Sequence, residues 1–392
     1  MLSEDPLRQV NLLMQCLNQD KKRIGILLGA GCPFSIKNDA GKPLIPDIKG
    51  LTEIVKSKIC DGEKDVNWDN ICKQLKEDGI DEYNIEDILS RVRGLRDYAG
   101  NGEVRGLSKV VLDELENKIC QEIKACVSQK LPNKATPFHN LATWIGLIDR
   151  SEPIEIFTTN YDLLIEQAHE DLRVPFFDGF IGTCHPFFDP YSIELDKLPS
   201  RWARLWKIHG SINWRSDKVD GYLKVYRTDP EKGGDVVIHP SHLKYDQSRK
   251  MPYLAMMERL RRFLITSPSI LIIIGYSFGD QHLNDVIVQS IQGSPSTAVF
   301  ALMYGSLSNY ENAISLAEER SNLSLIAEDG AIIGTKQFHW KELQEMPESE
   351  LSKEIIEWKN DPLDETCFKA YVKLGDFQSF GMFLQEISGA LD

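Results

Sequence analysis

The sequence predicts an α/β fold, a parallel sheet with helices on both faces, and two observations predict it. Short apolar runs recur at Arg23–Leu28, Ile154–Phe157, Leu205–Ile208, Ile270–Ile274, Ala298–Met303 and Leu323–Ile326, the continuous pattern of strands buried on both faces. Stretches with helical spacing, such as Leu163–His169 and Leu283–Ile291, lie between them. Strands alternating with helices pack as a parallel sheet sandwiched by those helices.

Taken in order, Arg23–Leu28 supplies the first strand of this sheet and ends in Gly29-Ala30-Gly31. From Leu51 to Lys130 the pattern turns helical and polar, with Ile85, Ile88, Leu89 and Val92 at helix spacing, which predicts a helical insertion at about 51–135. Residues 170–203 are rich in Pro, Phe and Gly and read as an ordered loop packed by its aromatics. Past about residue 335 the sheet-like runs stop, and residues 341–392 hold 12 Asp/Glu against 5 Lys/Arg. The chain is therefore read as a main domain, 1–334, and an acidic helical appendage, 335–392. The appendage carries an apolar stripe through Leu351, Ile355, Ile356 and Trp358, then Phe377, Phe380, Phe383, Leu384 and Ile387. Such a stripe must be buried, by self-assembly, by a partner or as a cap on the chain's own domain.

Composition bounds the function. With 42% hydrophobic and 27% charged residues the chain is globular, and its net charge of −14 makes nucleic acid a poor partner. The eight cysteines form no C-x-x-C pair, so neither a zinc ribbon nor a disulfide framework is expected. The N-terminus lacks a basic start with an apolar core, and no apolar run approaches the roughly 20 residues that span a bilayer. The expectation is a cytoplasmic protein with reduced thiols and no membrane contact.

Ligands of open parallel sheets sit at the carboxyl ends of the strands. Four polar or glycine-marked exits fall there: Gly29-Ala30-Gly31, Thr158-Thr159-Asn160-Tyr161-Asp162, His209-Gly210-Ser211 and Gly275-Tyr276-Ser277. Gly29 and Gly31 would let backbone approach a pyrophosphate, although Phe34 stands where the full G-x-G-x-x-G has its third glycine. Asn160 offers donor and acceptor to a ribose or a water, or else caps a turn. Asp162 reads equally as a functional acid or a helix cap. His209 is the best proton acceptor, with room beside it at Gly210. Ser277 could bond a ribose or phosphate or serve its turn, and Asp280 and His282 read mainly as caps of the helix starting near Gln281.

In this order the exits resemble the sirtuin family over residues 22–330. Gly29-Ala30-Gly31 resembles its phosphate loop, Ile45-Pro46-Asp47 its I-P-D segment, Thr159-Asn160-Tyr161-Asp162 its N-I-D element, His209-Gly210 its H-G and Gly275-Tyr276-Ser277 its G-T-S. The longer stretches 207–214 and 275–280 resemble bacterial sirtuin-like domains of phage-defence proteins. The resemblance implies a Rossmann-like fold that takes NAD as substrate. Asn160 and His209 would be catalytic with Asp162 in support, and Gly29, Ala30, Gly31, Pro46, Asp47, Thr159, Gly275 and Ser277 would bind NAD.

Three departures separate the chain from the family's deacylases. No cysteine lies between Cys184 and Cys367, so the four-cysteine zinc module expected soon after H-G is missing. Val236-Val237-Ile238-His239-Pro240-Ser241 stands where an F-G-E-like strand holds the acyl-lysine peptide. Ile48-Lys49 replaces the usual Phe-Arg after I-P-D. The expectation is hydrolysis of NAD without zinc, in antiviral defence, by a homo-oligomer resembling the partner of HerA-type ATPases. The alternatives are a protein deacylase or ADP-ribosyltransferase, and a non-catalytic NAD or ADP-ribose sensor gating a partner.

Overall fold

The structure, a computed structural model, describes residues 2–60, 65–219, 222–230, 236–238, 252–266, 268–347, 351–361 and 364–389. Its centre is a ten-stranded sheet. In chain order the strands are β1 (Ser3–Glu4), β2 (Arg23–Leu28), β3 (Glu155–Thr158), β4 (Phe176–Phe177), β5 (Ala203–Lys207) and β6 (Ser269–Ile274). They continue with β7 (Ala298–Leu302), β8 (Leu323–Ile326), β9 (Gly330–Ile333) and β10 (Lys336–Trp340). Across the sheet the order is β1-β10-β9-β8-β7-β6-β2-β3-β5-β4. From β8 to β4 every pair is parallel, while β9 pairs antiparallel with both β8 and β10 at one edge.

The continuous apolar runs have the expected cause: both faces of the sheet are covered. Ile24, Ile26 and Leu28 of β2 join one cluster with helix Pro6–Asn18, the helical insertion and helix Pro137–Leu147. Leu27 of β2 turns to the other cluster, with helices Tyr253–Ile265, Gln281–Gln292 and Glu311–Glu319. A doubly covered parallel sheet of this kind is Rossmann-like. The insertion is formed by helices Ile48–Cys60, Val66–Glu77, Ile85–Ala99 and Lys109–Val127, with a two-strand turn at Glu103–Ser108. Helix Ile85–Ala99 opens on a capping box in which Asn84 and Asp87 satisfy each other's backbone N–H groups.

Two expectations are corrected. The aromatic stretch 170–203 contains β4, the short strands Phe180–Ile181 and Phe187–Phe188, and helix Pro190–Leu195. Those two strands join Gly210–Val219, Tyr222–Arg227 and Val236–Ile238 in a second, antiparallel sheet. Of the stretch 236–241, residues 239–241 lie outside the described residues.

The segment from 335, expected to be helical and outside the sheet, contributes β10 to the sheet and an antiparallel pair, Ile356–Asp361 with Asp364–Val372. Its helix Phe377–Ser388 lies on helix Pro137–Leu147, with the Phe377 and Phe138 rings 4.9 Å apart. Phe377, Phe380, Phe383 and Leu384 are buried in the main core, so this part of the apolar stripe is covered by the chain itself.

Candidate functional site

The chain passes from β2 to β3 on one side and later returns to β6 on the other, so β2 is the point where the connections reverse direction. Such a point opens a crevice at the carboxyl ends of the strands. The loops there are tightly stitched. Gly29 N–H donates to the Ile274 carbonyl (2.9 Å) and Gly31 N–H to the Gly275 carbonyl (2.9 Å). A Cβ at Gly29 would sit 2.3 Å from the Gly275 oxygen, and Gly275 itself has φ +68. Glycine is required at both places by the approach of the two loops to each other.

The β3 exit is fixed to the same loop. Thr159 N–H and Thr158 Oγ1 donate to the Leu28 carbonyl at 3.2 and 3.0 Å. Asn160 Nδ2 donates to the Gly29 carbonyl (3.0 Å), which holds the side chain and leaves the acceptor Oδ1 for the cavity that Asn160 lines. Asp162 is buried and accepts from Leu164 N–H (3.0 Å), a turn contact one residue ahead of the helix cap Leu163, which makes no side-chain cap bond. Burial pushes its carboxyl up to about 6, against the pull of the nearby Lys207 ammonium. Lys207 Nζ donates to the Asp162 carbonyl and to Glu166 Oε1.

His209 stands between the two sheets. The chain leaves β5, turns at Gly210 with φ +89, and enters the long strand Gly210–Val219. The imidazole is buried, its Nε2 lies 3.1 Å from Asp280 Oδ2, and its ring centroid lies 6.4 Å from that of Tyr161.

One cavity of about 220 Å³ gathers Ala30, Pro46, Thr159, Asn160, Asp162, His209, Gly275 and Ser277. A second, of about 440 Å³, takes Gly31 and Asp47 and shares Ala30, Gly275, Tyr276 and Ser277 with the first. Gly29 lines neither; it acts through its carbonyl on Asn160. Asp47 Oδ1 also accepts from Gly50 N–H at 2.8 Å. A larger cavity, about 610 Å³, lies on the insertion between Leu75, Arg91 and Tyr98 and contains none of these residues.

Several lining residues were not singled out in the sequence. Glu86 and Asn84 come from the insertion, and Glu86 Oε1 accepts from the Tyr161 hydroxyl at 2.6 Å. Asp280, read mainly as a cap, does cap helix Gln281–Gln292 and also lines the cavity beside His209. The 335–392 segment supplies Asp376 and Phe377 to the second cavity. A Cβ at Gly375 would sit 2.0 Å from the Met303 carbonyl, which shows how closely that segment is seated on the end of β7. Cys32 is buried nearby with its thiol pushed up by burial, so it is no thiolate nucleophile.

Residues 154–326 match the SIR2-like domain family. No curated protein matches the chain. The SIR2-like match runs from the start of β3 to the end of β8 and so contains Thr159, Asn160, Asp162, His209, Gly275, Ser277 and Asp280. It is consistent with an NAD-dependent enzyme. The Gly29-Ala30-Gly31 loop and Pro46-Asp47 lie outside the matched residues, and the structure brings them to the same crevice. Among the described residues, no group of three or more His, Cys, Asp or Glu stands placed to hold a metal ion, and no helix is long and apolar enough to cross a membrane.

Proposed function

We propose that the protein is an NAD hydrolase that cleaves the nicotinamide–ribose bond to give nicotinamide and ADP-ribose. The observation that carries this reading is the cavity holding Asn160 and His209: Glu86, Asp162 and Asp280 line it, and among the described residues no lysine or arginine does. Such a wall suits a cationic nicotinamide ring and the positive charge that develops on the ribose as the bond breaks. The adjoining cavity, with Lys37 and the rings of Phe34, Tyr304 and Tyr310, suits the phosphate and adenosine remainder. Together the two cavities fall within the roughly 300–1,000 Å³ of small-molecule sites.

In this reading Asn160 Oδ1 orients the ribose and the attacking water, and His209 accepts the proton that water loses. The water oxygen bonds to the anomeric carbon, and the carbon–nitrogen bond breaks with its electron pair going to the ring nitrogen. Nicotinamide then leaves neutral. Asp162 supports the β3 exit that presents Asn160. Gly29, Ala30, Gly31, Pro46, Asp47, Thr159, Gly275 and Ser277 form the walls and loops that receive NAD.

The resemblance of the motif stretches to phage-defence domains supports the wider setting. We place the enzyme in the cytoplasm as a homo-oligomer with a HerA-type ATPase partner, depleting NAD in antiviral defence. The test is purified full-length chain, alone and with such an ATPase, incubated with NAD with and without an acetylated peptide. Release of nicotinamide and ADP-ribose that needs no peptide and survives a chelator supports the reading. Cleavage that requires the peptide, or one zinc per chain by elemental analysis, points to a deacylase instead. NAD binding without cleavage under either condition points to a sensor.

A further inference from the structure

We propose that Asp280 is the positioning residue of His209: a single carboxylate caps helix Gln281–Gln292 with one oxygen and fixes the imidazole with the other. The inference rests on the hydrolase reading for its kinetic consequence and on geometry for its basis. Asp280 Oδ1 accepts from Leu283 N–H at 3.2 Å, the ordinary cap contact, and this sets the carboxylate's rotamer. With that oxygen held, Oδ2 lies 3.1 Å from His209 Nε2, an ion-pair distance at which the two atoms are not aligned for a hydrogen bond. His209 Nε2 has no hydrogen-bond partner among the described residues, and both residues are more than nine-tenths buried, at 8% and 7% exposure.

The loop that carries Asp280 is itself rigid. Tyr276 Oη donates to Asn284 Oδ1 (2.7 Å), Asn284 Nδ2 donates to the Phe278 carbonyl (2.9 Å), and Phe278 is held at φ +59. A bulky residue in left-handed conformation persists only where its surroundings over-determine it. A carboxylate so placed favours the tautomer with its proton on Nε2 and leaves Nδ1 as the base. The Tyr161 ring also faces the imidazole, its centroid 6.4 Å away, and Asp162 and Glu86 line the same cavity.

The arrangement separates two roles that one substitution usually confounds. Asparagine caps a helix about as well as aspartate, whereas alanine does not. Asp280→Asn therefore keeps the helix and changes only the partner of His209, while Asp280→Ala loses both. Expected results are an unfolding midpoint for Asp280→Asn close to wild type, kcat for NAD cleavage lowered at least about tenfold with KM little changed, and no further loss when Asp280→Asn is added to His209→Ala.

The second readout needs no activity. In the neutral imidazole, nitrogen NMR of His209 should show mainly the Nε2–H tautomer in wild type and a mixture in Asp280→Asn. The same tautomer in both proteins overturns the proposal whether or not NAD is cleaved. So do an unchanged kcat in Asp280→Asn and a loss that simply adds to that of His209→Ala. Failure of wild type to release nicotinamide instead counts against the hydrolase reading, and the tautomer then decides the pairing alone.

Discussion

At the amino ends of the central strands, Glu155 of β3 is wholly buried and its carboxylate takes three side-chain donors. Arg23 reaches Oε1 at 2.7 Å, and Arg259 and the Trp206 indole reach Oε2 at 2.9 and 2.8 Å. Arg259 continues to Asp196 at 2.8 Å, which in turn takes Arg204 at 2.7 Å. At the carboxyl ends of the same strands, Glu86, Asp162 and Asp280 line an open cavity. Around them stand a tyrosine hydroxyl, backbone N–H groups, an imidazole and, near Asp162, the Lys207 ammonium. Buried acids alone do not mark a site. At one end the acids are matched by guanidinium groups and lock the layers; at the other they line a cavity to which, among the described residues, no lysine or arginine contributes, which is where a cationic substrate gains most.

The comparison makes the two ends break differently. The largest effect is expected from removing residues 335–392, because this takes β10 out of the sheet and uncovers the core under Phe377, Phe380, Phe383 and Leu384. Truncation near Gly334 should yield insoluble or unfolded protein by circular dichroism. A soluble, cooperatively melting fragment that still turns over NAD contradicts the integration of this segment.

Next is Glu155→Ala, which leaves Arg23 and Arg259 without their shared carboxylate and should cost about 3–5 kcal/mol in denaturant unfolding. NAD cleavage per folded molecule should stay near wild type at low temperature. A loss of activity larger than the loss of fold would mean that the amino end also belongs to the chemistry.

A smaller effect separates the pH behaviour of Asp162. Its carboxyl is raised in the folded protein to about 6, so the stability it contributes is present below its unfolded value and lost as pH rises through 6. Asp162→Asn keeps an acceptor for Leu164 N–H and should remove that dependence. Relative to wild type, the variant should gain on the order of 2 kcal/mol between pH 4 and pH 7. A constant difference across that range would show that Asp162 is ionised throughout.

Sequence made the parallel strands legible because a strand buried on both faces is apolar at every position, as Ile270–Ile274 is. It made the crevice legible because the exits of such strands converge by topology. The second sheet was hidden because Phe180–Ile181 and Phe187–Phe188 are two residues each, too short to show any period. β10, reading Lys-Gln-Phe-His-Trp, lies near the sheet edge with mostly exposed side chains and lacks the apolar signature. The stripe on Phe377–Ser388 was visible, but its destination depends on helix Pro137–Leu147, which sequence spacing does not connect to it. Asp280 was visible as a cap and is one. Its second oxygen meets His209 only because β5 and β6 end at the same crevice.

The most direct test of the hydrolase account measures ADP-ribose release by wild type, His209→Ala and Asn160→Ala, each first shown to be folded and titrated with NAD. Each variant should still melt cooperatively and bind NAD, yet release ADP-ribose at least about a hundredfold more slowly, the scale of a lost acid–base or orienting group. Full-rate release by either folded variant would contradict the assignment of the carboxyl-end crevice as the place where the bond is broken.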